Sequence, residues 1–140
     1  MSGLERFLKG NRVQRESVFY PAASDITDDN GNVVMWEIRQ LDTASCEEIK
    51  RESMRLSEDK NGVVRERLDT SLYMDKLLAA SVVEPNLLSA QLQDSYGVYT
   101  PEDLLKAIID KPSEYAAFAD FVYGMLGFTS FKDKVDKAKN

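Results

Sequence analysis

Between Ser89 and Ile109 the chain reads SAQLQDSYGVYTPEDLLKAII, and this stretch leaves little freedom about where its helices stop and start. Gly97 sits where a left-handed residue closes a helix over Leu92, Gln93 and Asp94. Three residues later the next helix is fully specified. Thr100 caps it, Pro101 takes the first helical position, and Glu102 and Asp103 complement the dipole. Leu104, Leu105, Ile108 and Ile109 then supply an apolar face. The spacing predicts two short helices meeting at a fixed joint, with no catalytic side chain in the stretch.

The remaining elements follow from the same kind of punctuation. SGLERFLKGN predicts one or two helical turns with Leu4, Phe7 and Leu8 on one side. Val18, Phe19 and Tyr20 favour a strand that Pro21 ends. DITDDNGN is dense in turn formers, and Asn30-Gly31 is a hairpin signal. VVMWEIRQL alternates, with Val34, Trp36 and Ile38 on one side and Met35, Glu37 and Arg39 on the other. The first 40 residues therefore predict a β-hairpin with one packed face. A long, mostly solvated helix is expected from DTASCEEIKRESMRLSED, with Ser45 and Glu48 as a capping box. Asn61-Gly62 turns the chain, and Val63–Arg67 is a candidate third short strand beside the hairpin. Asp69 caps a second helix over Thr70 to Val83, apolar on most sides and so central to its core. The fifth helix opens at Pro112 and ends near Gly127. The fold class is α+β, mainly helical: an N-terminal hairpin packed with four to five helices. Residues 1–13 read as an arm or short helix, 14–128 as one domain, and 129–140 as a polar tail that frays.

Composition narrows the function. The 140 residues carry a formal net charge of −6, against sequence-independent binding to phosphate backbones. One cysteine allows no intrachain disulfide or Cys-rich zinc site, and the absence of histidine removes the commonest general base and metal ligand. No apolar run reaches the roughly 18 residues of a membrane helix. These features predict a cytoplasmic protein with no cofactor and no bound metal.

The candidates for chemistry each have a plainer reading. Glu47, Glu48 and Glu52 have helical spacing that suits acid/base work or a magnesium ion, but Lys50, Arg51 and Arg55 interleave as on a solvated helix. Asp25, Asp28, Asp29 and Asn30 resemble a calcium loop in composition, yet the EF-hand spacing is missing. Cys46 sits where a helix dipole lowers a thiol pKa, but no histidine exists to activate it. Glycine-rich phosphate loops and the G-x-S-x-G elbow are absent.

The fifth helix is broader in apolar surface than one buried face requires. Tyr115, Phe118, Phe121, Val122, Tyr123, Met125 and Leu126 cover more than half its circumference. Either it is buried on two sides, or part of that surface is kept for another protein. The second reading makes Phe118, Phe121, Val122 and Met125 a partner-binding surface, with Tyr96 and Tyr99 at its edge.

The blocks LQDSYGV (Leu92 to Val98) and PEDLL (Pro101 to Leu105) resemble the signature of the XkdN-like tail assembly chaperones of long-tailed phages and prophages. WEIR at Trp36 to Arg39, LYMDKLLAASVVEPNL from Leu72 to Leu87, EYAAFADFV from Glu114 to Val122 and LGF at Leu126 to Phe128 agree in order. The resemblance covers roughly residues 14–128 and fits least well around Asp59 to Arg67. It implies a non-catalytic chaperone of the host cytoplasm that escorts the tape measure protein, helps recruit tail tube subunits and is absent from the finished particle. It also implies a longer form made by frameshifting near residues 129–140, and no active site. Two other classes fit the same acidic, apolar-surfaced chain: a regulatory adaptor or antitoxin-like binder, and a carboxylate-dependent hydrolase with converging acids.

Overall fold

The computed structural model describes residues 2–127; the tail expected at 129–140 lies outside them. Five helices and five short strands follow two 3-10 turns at Glu5–Phe7 and Lys9–Asn11. Strand β1 (Val18–Tyr20) pairs antiparallel with β2 (Trp36–Ile38), placing Tyr20 opposite Trp36. The expected hairpin is therefore present, but residues 21–35 separate its strands. Inside that loop Thr27 bridges Val33 around the Asn30-Gly31 turn, and the Asp28 carboxylate accepts from the amides of Asn30 and Asn32 at 2.9 and 3.0 Å. Trp36 and Ile38 are buried and Met35 is exposed, as the alternation predicts, but Val34, expected on the packed side, precedes the strand and is exposed.

The third strand of this sheet is not the expected one. It is β5 (Val82–Glu84), which pairs with β2 on the side away from β1. Sequence periodicity assigns these residues to the end of the second helix, α2 (Thr70–Ser81). The helix stops earlier: Val82 turns extended at φ −82°, ψ 120°, and the buried Ser81 hydroxyl donates back to the Leu78 carbonyl at 2.7 Å. The two β-branched valines then take the extended form, and Pro85 disfavours helix at Glu84.

The first helix, α1 (Thr43–Glu52), is also shorter than its sequence suggests. Its cap is Asp42, which accepts from the Ser45 amide at 2.7 Å, rather than a Ser45–Glu48 box. Ser53 ends it: its buried hydroxyl donates to the Ile49 carbonyl, and the Arg55 guanidinium covers the Glu52 carbonyl. Residues expected to extend the helix instead form β3 (Met54–Glu58). It pairs with β4 (Val64–Leu68) across the Asn61-Gly62 turn. The candidate strand at Val63–Arg67 is thus real to within one residue, but it builds a separate two-stranded ribbon and does not join the hairpin.

The predicted starts of α2, α4 and α5 and the Gly97 stop of α3 are present. Asp69 caps α2, Thr100 caps α4 (Pro101–Ile108), and Pro112 opens α5 (Pro112–Met125). Ser89 caps α3 (Ala90–Tyr96), and Gly97 closes it at φ 68°, ψ 33°. A side chain there would sit in the left-handed region that favours glycine. Helix α2 is central: it packs against α1, α4 and α5 and buries Tyr73, Met74, Leu77 and Leu78. At one point three helices are tied by a polar knot. Asp75 of α2 pairs with Lys106 of α4 and accepts the Tyr115 hydroxyl of α5 at 2.6 Å.

Candidate partner-binding groove

Helix α5 turns its wide apolar surface inward. Phe118 and Val122 are fully buried and offer nothing to a second chain. Phe121 stacks on Tyr20 of β1 with ring centroids 4.4 Å apart, and Phe118 meets Trp36 at 6.2 Å. Met125 is half-buried against the same core. Much of the excess arc is thus taken up by the sheet and by α2, which withdraws Phe118 and Val122 from the surface expected along α5, while Phe121 and Met125 stay half-buried. Of the six candidates, Tyr96 and Tyr99 remain well exposed.

Tyr96 instead borders a groove of about 430 Å³ on another face. Its lining is Ile26, Val34, Met35, Trp36, Glu84, Pro85, Leu92, Tyr96 and Ile108. Trp36 and Ile108 are buried and form the floor, while Met35 at 51% and Tyr96 at 44% exposure form the rim. Local chemistry sets each wall. The Asp28 turn folds the loop back, and the Val34 amide donates to the Ile26 carbonyl at 2.9 Å, placing Ile26 beside Val34. Gln93 anchors α3 by donating to the Leu87 carbonyl at 2.8 Å, which fixes Leu92 and Tyr96 opposite that loop. The Gly97 amide donates to the Asp94 carbonyl and the Val98 amide to that of Gln93, both at 3.1 Å. That closed end and Pro101 set the angle between α3 and α4. The stretch from Leu92 to Leu105 therefore supplies one wall, through Leu92 and Tyr96, and leads into the helix that carries Ile108.

Sequence reasoning missed Ile26, Val34, Met35, Pro85 and Ile108 as groove residues. A signal existed: Ile26 and Val34-Met35 are apolar residues flanking the TDDNGN turn symmetrically, as partners across a short bridge must.

The polar candidates do not converge. Among the described residues no group of three His, Cys, Asp or Glu side chains could hold a metal ion. A second depression near α1 and α2 contains Lys76 between Glu52 and Glu102, at 3.9 and 3.7 Å, so its charges engage one another. Cys46 is half-buried on α1, packed against the core. The strongly perturbed groups are core tyrosines. Burial pushes the Tyr73 hydroxyl up to about 12. Burial and the bond to Asp75 raise Tyr115 further, and burial raises Tyr123. None of these lines the groove.

The chain matches the family described as phage XkdN-like tail assembly chaperone protein, TAC, over residues 4–139. It is 26% identical over 139 residues to the uncharacterized protein YqbN of Bacillus subtilis strain 168, covering 98% of this chain and 93% of the relative. It is 22% identical over 138 residues to the phage-like element PBSX protein XkdN of the same organism, with the same coverage. The crystal structure of YqbN superposes with a TM-score of 0.76 at 21% identity, over 91% of this chain and 98% of that one, which establishes a shared fold. With the family match spanning nearly its whole length, the chain belongs to the phage XkdN-like tail assembly chaperones.

Proposed function

We propose that this protein is a non-catalytic chaperone for the tape measure protein, and that the groove between the 21–35 loop and α3 grips it. The observation carrying this reading is a groove whose apolar rim, Met35 and Tyr96, is left in water. A pocket of this size suits a few apolar side chains offered from one face of a helix. Many weak grips of that kind keep a long helical client soluble and still release it. The chain's net charge of −6 helps the loaded complex stay dispersed. In the same proposal the protein acts in the host cytoplasm, helps recruit tail tube subunits as the tube grows, leaves before the particle is finished, and has a frameshifted longer form.

The test is co-expression with the tape measure protein. Met35→Glu and Tyr96→Glu change exposed positions, so the fold should survive. Each should reduce client held in the soluble fraction about tenfold, the usual consequence of losing an interface anchor. Client solubility equal to that with the unaltered chain, from a folded double variant, overturns the groove as the client site.

A further inference from the structure

The N-terminal arm carries four strongly exposed apolar side chains within ten residues. Leu4 is 76%, Phe7 84% and Val13 94% accessible, and Leu8 is also exposed. The arm is not featureless. Phe7 and Leu8 donate their amides to the carbonyls of Leu4 and Glu5, and the Asn11 side chain donates to the Glu5 carbonyl at 2.8 Å. These bonds gather Leu4, Phe7 and Leu8 into one short knob before any partner is met. Pre-forming the knob lowers the ordering cost of docking it.

Charge separates the arm from the body. Residues 1–17 hold Arg6, Lys9, Arg12 and Arg15 against Glu5 and Glu16, a net of +2, which leaves −8 for the rest of a chain totalling −6. The groove has the opposite character to the arm. Its lining is apolar apart from Glu84, and Asp25, Asp28 and Asp29 sit on the loop that forms one wall. The basic arm with its apolar knob is thus complementary in character to an apolar groove with an acidic surround.

We infer that the arm of one copy seats Phe7 and Leu8 in the groove of a second copy. From Arg12, just past the second 3-10 turn, to Val18 at the start of β1 the chain can extend about 20 Å, enough to carry the knob away from its own body to a neighbouring molecule. Exchange between two copies gives a closed dimer, and onward exchange gives a short chain of copies. The inference takes its seat from the groove proposed above, where arm and client would compete: self-association fills the groove when no client is present.

Sedimentation of the purified full chain, with no client, tests this over about 5 to 200 µM, where mass action exposes a weak dimer. The average mass should climb from 15.8 kDa with concentration. It should stay monomeric for the F7S/L8S variant, whose changes lie outside the core, and for the Met35→Glu variant. A synthetic peptide of residues 2–17 should shift the emission of Trp36, the single tryptophan, in F7S/L8S and not once Met35→Glu is added. An intact chain that stays monomeric, or association that survives either variant, overturns the inference. The two readings fail separately: this one by the mass of the chain alone, the client reading by tape measure solubility.

Discussion

Two turns in this molecule use one device and reach different ends. In residues 28–32 and 59–63 an aspartate accepts from the amides two and four positions ahead, with Asn-Gly between them. Gly31 and Gly62 have φ of 82° and 79°. The first turn lies in the loop entering β2, whose Trp36 and Ile38 are buried. The second joins β3 and β4, which bury no residue. In the ribbon Arg55 faces Arg67, and Ser57 faces Arg65, so one side is basic; Leu56 faces Glu66 on the other. Turn chemistry alone folds a chain back on itself. Whether the product becomes part of a core depends on what its apolar face meets: Trp36 and Ile38 of β2 are buried, whereas Met54, Leu56, Val64 and Leu68 share their face of the ribbon with Glu58 and Glu66, and only Met54 and Leu68, at its base, are half-buried.

That contrast can be broken by experiment. The largest difference is expected from truncating one side chain in each region. Trp36→Ala should lower stability by about 3–5 kcal/mol, and Leu56→Ala by no more than about 0.5 kcal/mol, read from urea midpoints. A comparable loss from both would mean the ribbon belongs to the core.

Alkali sharpens the comparison differently. Tyr73, Tyr115 and Tyr123 all ionise less readily in the folded chain, chiefly through burial. The unfolded chain gives up these protons near pH 10 while the folded one retains them, so stability is intact below pH 10 and falls as pH rises from about 10 towards 12. Tyrosinate absorbance from these three should therefore appear together with unfolding of the helical body. The ribbon, residues 54–68, has no tyrosine and supplies none of this drive. Ionisation of all the tyrosines with the fold retained would contradict their burial.

The smallest effect is the most discriminating. Asp28→Ala should lower the global midpoint by about 1 kcal/mol, since two backbone amides lose a charged acceptor. Asp59→Ala removes the same bonds but should speed amide exchange only within residues 54–68, leaving the global midpoint within about 0.5 kcal/mol. Equal global losses would erase the distinction between the two turns.

What was legible in the sequence was what short-range chemistry decides. Asp69, Thr100, Pro101 and Gly97 cap or start helices where their residue types predict, and α2 is central because its apolar residues go nearly round it. The resemblance carried by Leu92 to Leu105 pointed to the right family. What was not legible depends on pairing between distant segments. MRLSE reads as helix because its residues have good helical propensity, and only the turn at Asp59 and the opposite strand make it extended. Val82 and Val83 continue an apolar helical pattern equally well until β2 is there to bond them. A helical wheel counted the aromatic residues of α5 correctly but could not say that Tyr20 and Trp36 would cover them. The groove was hidden for the same reason: its two walls are separated by more than fifty residues, and only Tyr96, Trp36 and Leu92 had been singled out beforehand.

The polar knot at Asp75 has a mechanical consequence for whatever enters that groove. Lys106 and Tyr115 pin α4 and α5 to α2 at one carboxylate, so Ile108 cannot drop away without breaking contacts to the Asp75 charge. Val34 and Met35, in contrast, sit at the exposed far end of a loop whose base is tied to α5, where the Ser24 amide donates to the Glu114 carboxylate at 3.2 Å and Lys111 donates to the Ser24 hydroxyl at 3.1 Å. In the proposal above, the helices would set the depth open to a guest and the loop its width.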